Sequence, residues 1–279
     1  METSFAVLQL SGCSGCEVSL LNAEEWIGKR RLAYMPLLLS SEDYDHVDTL
    51  LVSGAVYTDE DLYRLRRAAS RADSVIAVGT CAISGGVANL GYRDDVRERF
   101  FAAAERRHVP RILPRLRPVD EVVPVSRYLP GCPPTPDLFM AVLFSDHEFV
   151  PKKTVCLDCG RKKTRDRPDT LVPLGTGPVL PDICLINQGY LCIGSSTRGG
   201  CGAPCTRAGH PCVGCRGPSD GFIARSSQEW FAAMKKVFGR LTHIDPDVID
   251  ATLRSPQLSL FVFQFADYAS VPRDPAKVL

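Results

Sequence analysis

The sequence predicts an α/β fold: a parallel sheet covered by helices over residues 1–150, followed by an irregular region held together by bound metal. Three observations predict it. Short apolar runs alternate with amphipathic stretches through the first half, the pattern of strands buried on both faces and joined by helices. Regular hydrophobic periodicity stops near residue 150. Eight of the twelve cysteines lie beyond that point, in a stretch dense in glycine and proline.

The run FAVLQL (5–10) predicts the first strand, and residues 18–27 a helix. VDTLLVSGA (47–55) reads as a buried strand. DEDLYRLRRAASRA (59–72) reads as a helix, with acidic residues in its first turn and basic ones later, as the helix dipole favours. SVIAVGT (74–80) is a further buried strand; then come a helix over 93–108, a strand over 121–125 and a helix over 137–144. From 151 to about 219 little periodicity remains. Such a stretch cannot bury a normal core, which makes bound metal the natural source of its stability. A helix resumes over 228–241, and LSLFVFQF (258–265) alternates enough for an edge strand or a partner contact. The expected organisation is a sheet domain (1–150), a metal-stabilised domain (151–235) and a C-terminal tail (236–279).

With 33 basic and 32 acidic residues the net charge is +1, so no global field favours nucleic acid or an anionic membrane. The apolar runs fall well short of the ~20 residues a membrane span needs. With no basic and apolar leader at the N-terminus, a cytoplasmic location is expected. In a reducing compartment clustered cysteines bind metal or carry out redox chemistry rather than form structural disulfides.

Four cysteines sit at predicted strand ends. Cys13 and Cys16 follow the first strand, Cys81 follows the strand over 74–79, and Cys132 follows the strand over 121–125. In an open parallel sheet, ligands bind outside the carboxyl ends of the strands, so residues distant in sequence can converge there. Glycines beside them (Gly12, Gly15, Gly79, Gly131) let backbone approach sulfur closely. A zinc site could use the same residues. A thioredoxin-like pair at Cys13 and Cys16 is a further reading, but it leaves Cys81 and Cys132 without a role. The other eight, Cys156, Cys159, Cys184, Cys192, Cys201, Cys205, Cys212 and Cys215, suffice for two four-thiolate sites. Their glycine-rich, uncharged flanks suit a bulky cluster wrapped in backbone amides better than zinc.

The motifs CSGC, GTCAISGG, PGCPP and TRGGCGAPC…GHPCVGCRGP, with every cysteine in order from about residue 5 to 218, closely resemble the small, electron-transfer subunit of nickel–iron hydrogenases. The resemblance implies a flavodoxin-like first domain and three 4Fe-4S clusters: a proximal one on Cys13, Cys16, Cys81 and Cys132, facing a separate nickel–iron large subunit; a distal one on Cys156, Cys159, Cys184 and Cys192; and a medial one on Cys201, Cys205, Cys212 and Cys215. Periplasmic relatives use histidine where this chain has Cys156, and proline where it has Cys205. Those departures point to cytoplasmic branches: heterodisulfide-reductase-linked, viologen-reducing enzymes first, then coenzyme F-420-reducing enzymes and NAD(P)-linked sulfhydrogenases. The implied partners are the large subunit and an iron–sulfur or flavin acceptor subunit. The chain itself would conduct electrons and carry no catalytic residue. A stand-alone ferredoxin-like carrier and a zinc-stabilised binding protein are the competing readings.

Four further features have local readings. Glu17 is a dipole-favoured carboxylate or part of a proton path or subunit contact. His210 is a sulfur hydrogen-bond donor or a packing residue. Asp59, Glu60 and Asp61 open a helix or approach the proximal cluster, and His46, His108, His147 and His243 read as surface or structural residues.

Overall fold

The computed structural model describes residues 3–41, 43–92, 98–99, 110–144, 153–223, 227–254 and 274–279. The predicted helix over 93–108 and strand over 258–265 fall largely or wholly outside these, as do His108 and His147. The chain divides into two compact units: Met1–Phe149 with Phe265–Leu279, and Val150–Gln264.

In the first unit five strands, β1 (Ser4–Gln9), β2 (Arg31–Tyr34), β3 (Val47–Ser53), β5 (Ala72–Val78) and β7 (Arg127–Leu129), form a parallel sheet in the order β2-β1-β3-β5-β7. Counted within the sheet this is the 2-1-3-4-5 order of flavodoxin-like folds, with its switch point between β1 and β3. A two-stranded antiparallel ribbon, β4 (Val56–Thr58) with β6 (Ile112–Arg117), stands apart from it.

Alternation along the strands separates two cores, one on each face. Ala6, Leu8, Leu50, Val52, Val75 and Ala77 face α2 (Asp59–Ala69) and α3 (Gly79–Ser84). Phe5, Val7, Leu51, Ile76 and Val78 face α1 (Gly15–Leu21) and α4 (Pro136–Leu143). Helix α2 begins with a reciprocal cap. Thr58 Oγ1 accepts from the Asp61 backbone N–H at 3.1 Å, while the Asp61 carboxylate accepts from the Thr58 N–H at 2.9 Å.

The strand expected over 121–125 lies instead at Arg127–Leu129. Val119–Glu121 form a 3₁₀ turn, and Val123 and Val125 are buried in the core without joining the ladder. Pro124 within that run has no N–H to offer a neighbouring strand.

The second unit has little regular structure before residue 227: the short helices α5 (Val155–Cys159) and α6 (Pro204–Arg207), and a 3₁₀ turn at Leu185–Gln188. Then α7 (Ser227–Leu241) and α8 (Pro246–Arg254) pack on one another. The boundary expected at residue 235 cuts through α7. Trp230, Met234 and Phe238 recur at helical spacing and are fully buried within this unit, so both helices belong to it, while residues 274–279 belong to the first. There the Leu279 N–H donates to the Tyr128 carbonyl at 3.1 Å.

Candidate metal centres

Three loops at the carboxyl ends of β1, β5 and β7 carry the first four cysteines, and hydrogen bonds tie the loops together. The Thr80 N–H and hydroxyl donate to the Gly131 carbonyl at 3.0 and 3.1 Å, joining the Cys81 turn to the Cys132 turn. The Ser19 hydroxyl on α1 donates to the Pro134 carbonyl at 2.5 Å. Ser11, just before Cys13, donates to the Asp61 carboxylate at 2.7 Å and pairs with Ala55 through backbone bonds of 2.8 and 3.2 Å. Gly79 is a tight point of this arrangement. It has φ of +81°, and a Cβ there would stand 2.6 Å from Cys16 Sγ, so only glycine fits. Burial raises the Cys16 thiol well above its ordinary range, and the charges of Glu17, Cys81, Cys132 and Cys13 raise it further. The charges of Cys13, Cys81 and Cys132 thus all reach Cys16. Cys13 and Cys132 are exposed and Cys16 and Cys81 half-buried, so the site opens to the surface beside exposed Val18 and Pro133.

The second unit carries the other eight cysteines. Cys156, on α5, is pushed up to about 11 by burial, then by the charges of Cys184 and Cys159, with Lys163 opposing. Cys192 is pushed up to about 12 by burial; Cys156 and Cys184 add to this, while backbone N–H groups of Gly194 and Cys212 oppose it. Cys201, Cys205, Cys212 and Cys215 line a single cavity with about 320 Å³ of space unfilled by atoms, its mouth included. Burial raises Cys201 and Cys212 as well, opposed by N–H groups of Ala203 at Cys201 and Gly214 at Cys212. The Cys212 N–H donates to Cys192 Sγ at 3.3 Å. No two of the twelve cysteines form a disulfide.

Residues 13–145 match the family of the NADH ubiquinone oxidoreductase 20 kDa subunit. The chain is 32% identical to a subunit of the F420-non-reducing hydrogenase vhu of Methanococcus voltae over 241 residues, covering 79% of this chain and 84% of that one. The chain belongs to the small subunits of nickel–iron hydrogenases. It is also 29% identical to the sulfhydrogenase 2 subunit delta of Pyrococcus furiosus, over 76% of this chain and 85% of that one. A solved structure of the actinobacterial-type NiFe-hydrogenase from Ralstonia eutropha H16 shares the fold at a TM-score of 0.50 and 16% identity, covering 79% of each chain. As a hydrogenase small subunit, the protein is an iron–sulfur component of an oxidoreductase acting on hydrogen and pairs with a large catalytic subunit.

The residues around these sites fit iron–sulfur clusters. The donors are soft thiolates, and backbone N–H groups point at sulfur. Burial first, and neighbouring charge second, raise these thiols, and a bound cationic centre would favour their deprotonated form. Among the described residues no three His, Cys, Asp or Glu side chains converge tightly enough for a single ion. A cubane does not require such convergence, because each thiolate meets a different corner iron.

Glu17 is buried in the first turn of α1, lined by Val7, Leu20, Leu51 and Phe139. One carboxylate oxygen accepts from the Ser53 hydroxyl, and the other has no hydrogen-bond partner among the described residues. Glu17 thus sits in the first turn of its helix, where the dipole favours a carboxylate, and is buried there. His210 is exposed, and its Nδ1 bonds the Pro211 carbonyl at 2.8 Å, which takes that nitrogen away from sulfur. His46 pairs with Asp73 at the surface, and His243 is exposed. Asp59 accepts from the Arg111 N–H, and Asp61 serves the cap and Ser11. Sequence reasoning passed over Ser53, Asp158, Arg198 and Arg216, all buried polar residues of the two units. An arginine directly after a cysteine carries no local signal of burial.

Proposed function

We propose that this chain conducts electrons between the nickel–iron site of its large subunit and an acceptor subunit through three 4Fe-4S clusters, divided as Cys13/Cys16/Cys81/Cys132, Cys156/Cys159/Cys184/Cys192 and Cys201/Cys205/Cys212/Cys215. Bound clusters would supply single-electron storage at low potential. The chain's own residues would fix sulfur positions, set N–H···S bonds and exclude water. The observation that supports the reading is that Cys201, Cys205, Cys212 and Cys215 line a single cavity. The exposed rim of Cys13, Cys132, Val18 and Pro133 suits the covering face of the large subunit.

The favoured acceptor system is heterodisulfide-reductase-linked and viologen-reducing, in keeping with the F420-non-reducing relative. Likeness to the sulfhydrogenase delta subunit supports an NAD(P)-linked alternative. A cytoplasmic complex is part of the proposal. Among the described residues no helix is long and apolar enough to cross a membrane.

Metal and sulfide analysis of the anaerobically purified complex tests the reading: about twelve irons and twelve inorganic sulfides are expected per chain, four of each per cubane. Zinc in place of iron would overturn it. The chains that co-purify decide between a hydrogenase complex and a stand-alone carrier.

A further inference from the structure

Arg216 is about 2% exposed and among the largest fully buried side chains of the protein. It lines the same cavity as Cys201, Cys205, Cys212 and Cys215. A buried guanidinium is costly unless negative charge stands near it. Of the carboxylates in this region, Asp158 adds to the negative charge near Arg216. Asp158 accepts from the Gly200 N–H at 2.6 Å, and Asp220 pairs with Arg198, the second buried arginine here.

We propose that Arg216 sets the reduction potential of the cluster held by Cys201, Cys205, Cys212 and Cys215, its fixed positive charge stabilising the reduced form. The inference rests on the cluster reading above. A cubane on four thiolates is an anion, and one added electron deepens its negative charge. A guanidinium in the same low-dielectric cavity therefore favours the reduced state more than the oxidised one. The step is electron transfer alone: one electron released by hydrogen oxidation enters from the neighbouring centre and leaves to the next. No bond is made, and Arg216 keeps its protons throughout. Burial lowers the Arg216 pKa to about 10, and Cys201 is the first influence to oppose this, ahead of Cys215 and Asp158. The guanidinium remains charged near neutral pH.

The test is a potentiometric titration of the intact complex with dithionite, read by low-temperature electron paramagnetic resonance, for wild type, Arg216→Gln and Arg216→Lys. Arg216→Gln should make one of the three clusters at least tenfold harder to reduce, a downward shift of about 59 mV for a one-electron couple, with smaller shifts in the others. Arg216→Lys, which keeps the charge, should move that potential less. Full iron with unchanged potentials in Arg216→Gln overturns the inference and leaves the cluster reading intact. Equal shifts in both variants also overturn it, because they would show a role in shape rather than charge. If Arg216→Gln does not load its cluster, Arg216→Lys decides: loading with a near wild-type potential supports the inference, and failure to load overturns it. Wild-type complex without iron overturns the cluster reading and this inference together.

Discussion

The two units solve the same problem, placing sulfur within a cage, by opposite means. In the first, a five-stranded sheet has an apolar core on each face, and the cysteines occupy loops at its carboxyl edge. In the second, glycines with positive φ at 160, 175, 189, 200, 202, 209, 214 and 217 bend the chain around the thiols, and the main apolar anchor is the helix pair α7–α8. A sheet can present ligands without needing them for its stability. A chain wound mostly from turns depends on what it encloses.

Removing iron with a chelator under reducing conditions should separate the two units most. Amide hydrogen exchange should rise by orders of magnitude across residues 155–217, while β1, β3 and β5 keep their protection. Equal loss in both units would show that the sheet also depends on its cluster. Next in size, Trp230→Ala should cost about 3–5 kcal/mol, the range for emptying a large aromatic site, and the loss should be confined to the second unit. Differential scanning calorimetry of the iron-loaded protein would show one transition lowered. Equal lowering of both transitions contradicts a separate core. Gly79→Ala should cost about 1–3 kcal/mol in backbone strain and displace Cys16. Iron content should fall by about four per chain, one cubane's worth, with the remaining clusters unchanged; full iron loading would mean the loop can yield without losing its ligand. The smallest effect is expected for Thr58→Ala, which removes the cap of α2. A loss of about 1 kcal/mol by denaturant unfolding is expected, with unchanged iron.

The first unit was largely legible because its buried strands are uninterrupted apolar runs. It was not legible where a strand is short or polar. β2 reads RLAY and β4 only VYT, and neither rises above a loop by pattern alone. The 121–125 misplacement came from counting valines and overlooking Pro124. In the second unit, cysteine spacing located the thiols, but helix α8 was missed although its signal was present. Pro246 opens it, and Asp245 caps it by accepting from the Asp247 N–H at 2.8 Å. Buried polar residues such as Arg216 and Glu17 lay beyond reach, since nothing local to a sequence tells a surface charge from one enclosed by the fold.

The Cys212 amide that reaches Cys192 sulfur has a further consequence. On the proposed division it links ligands of two adjacent centres, so whatever charge one acquires the other must feel. Filling either would then discourage filling its neighbour, and the pair would titrate as a broadened, anticooperative wave in which electrons pass through the second unit in single file.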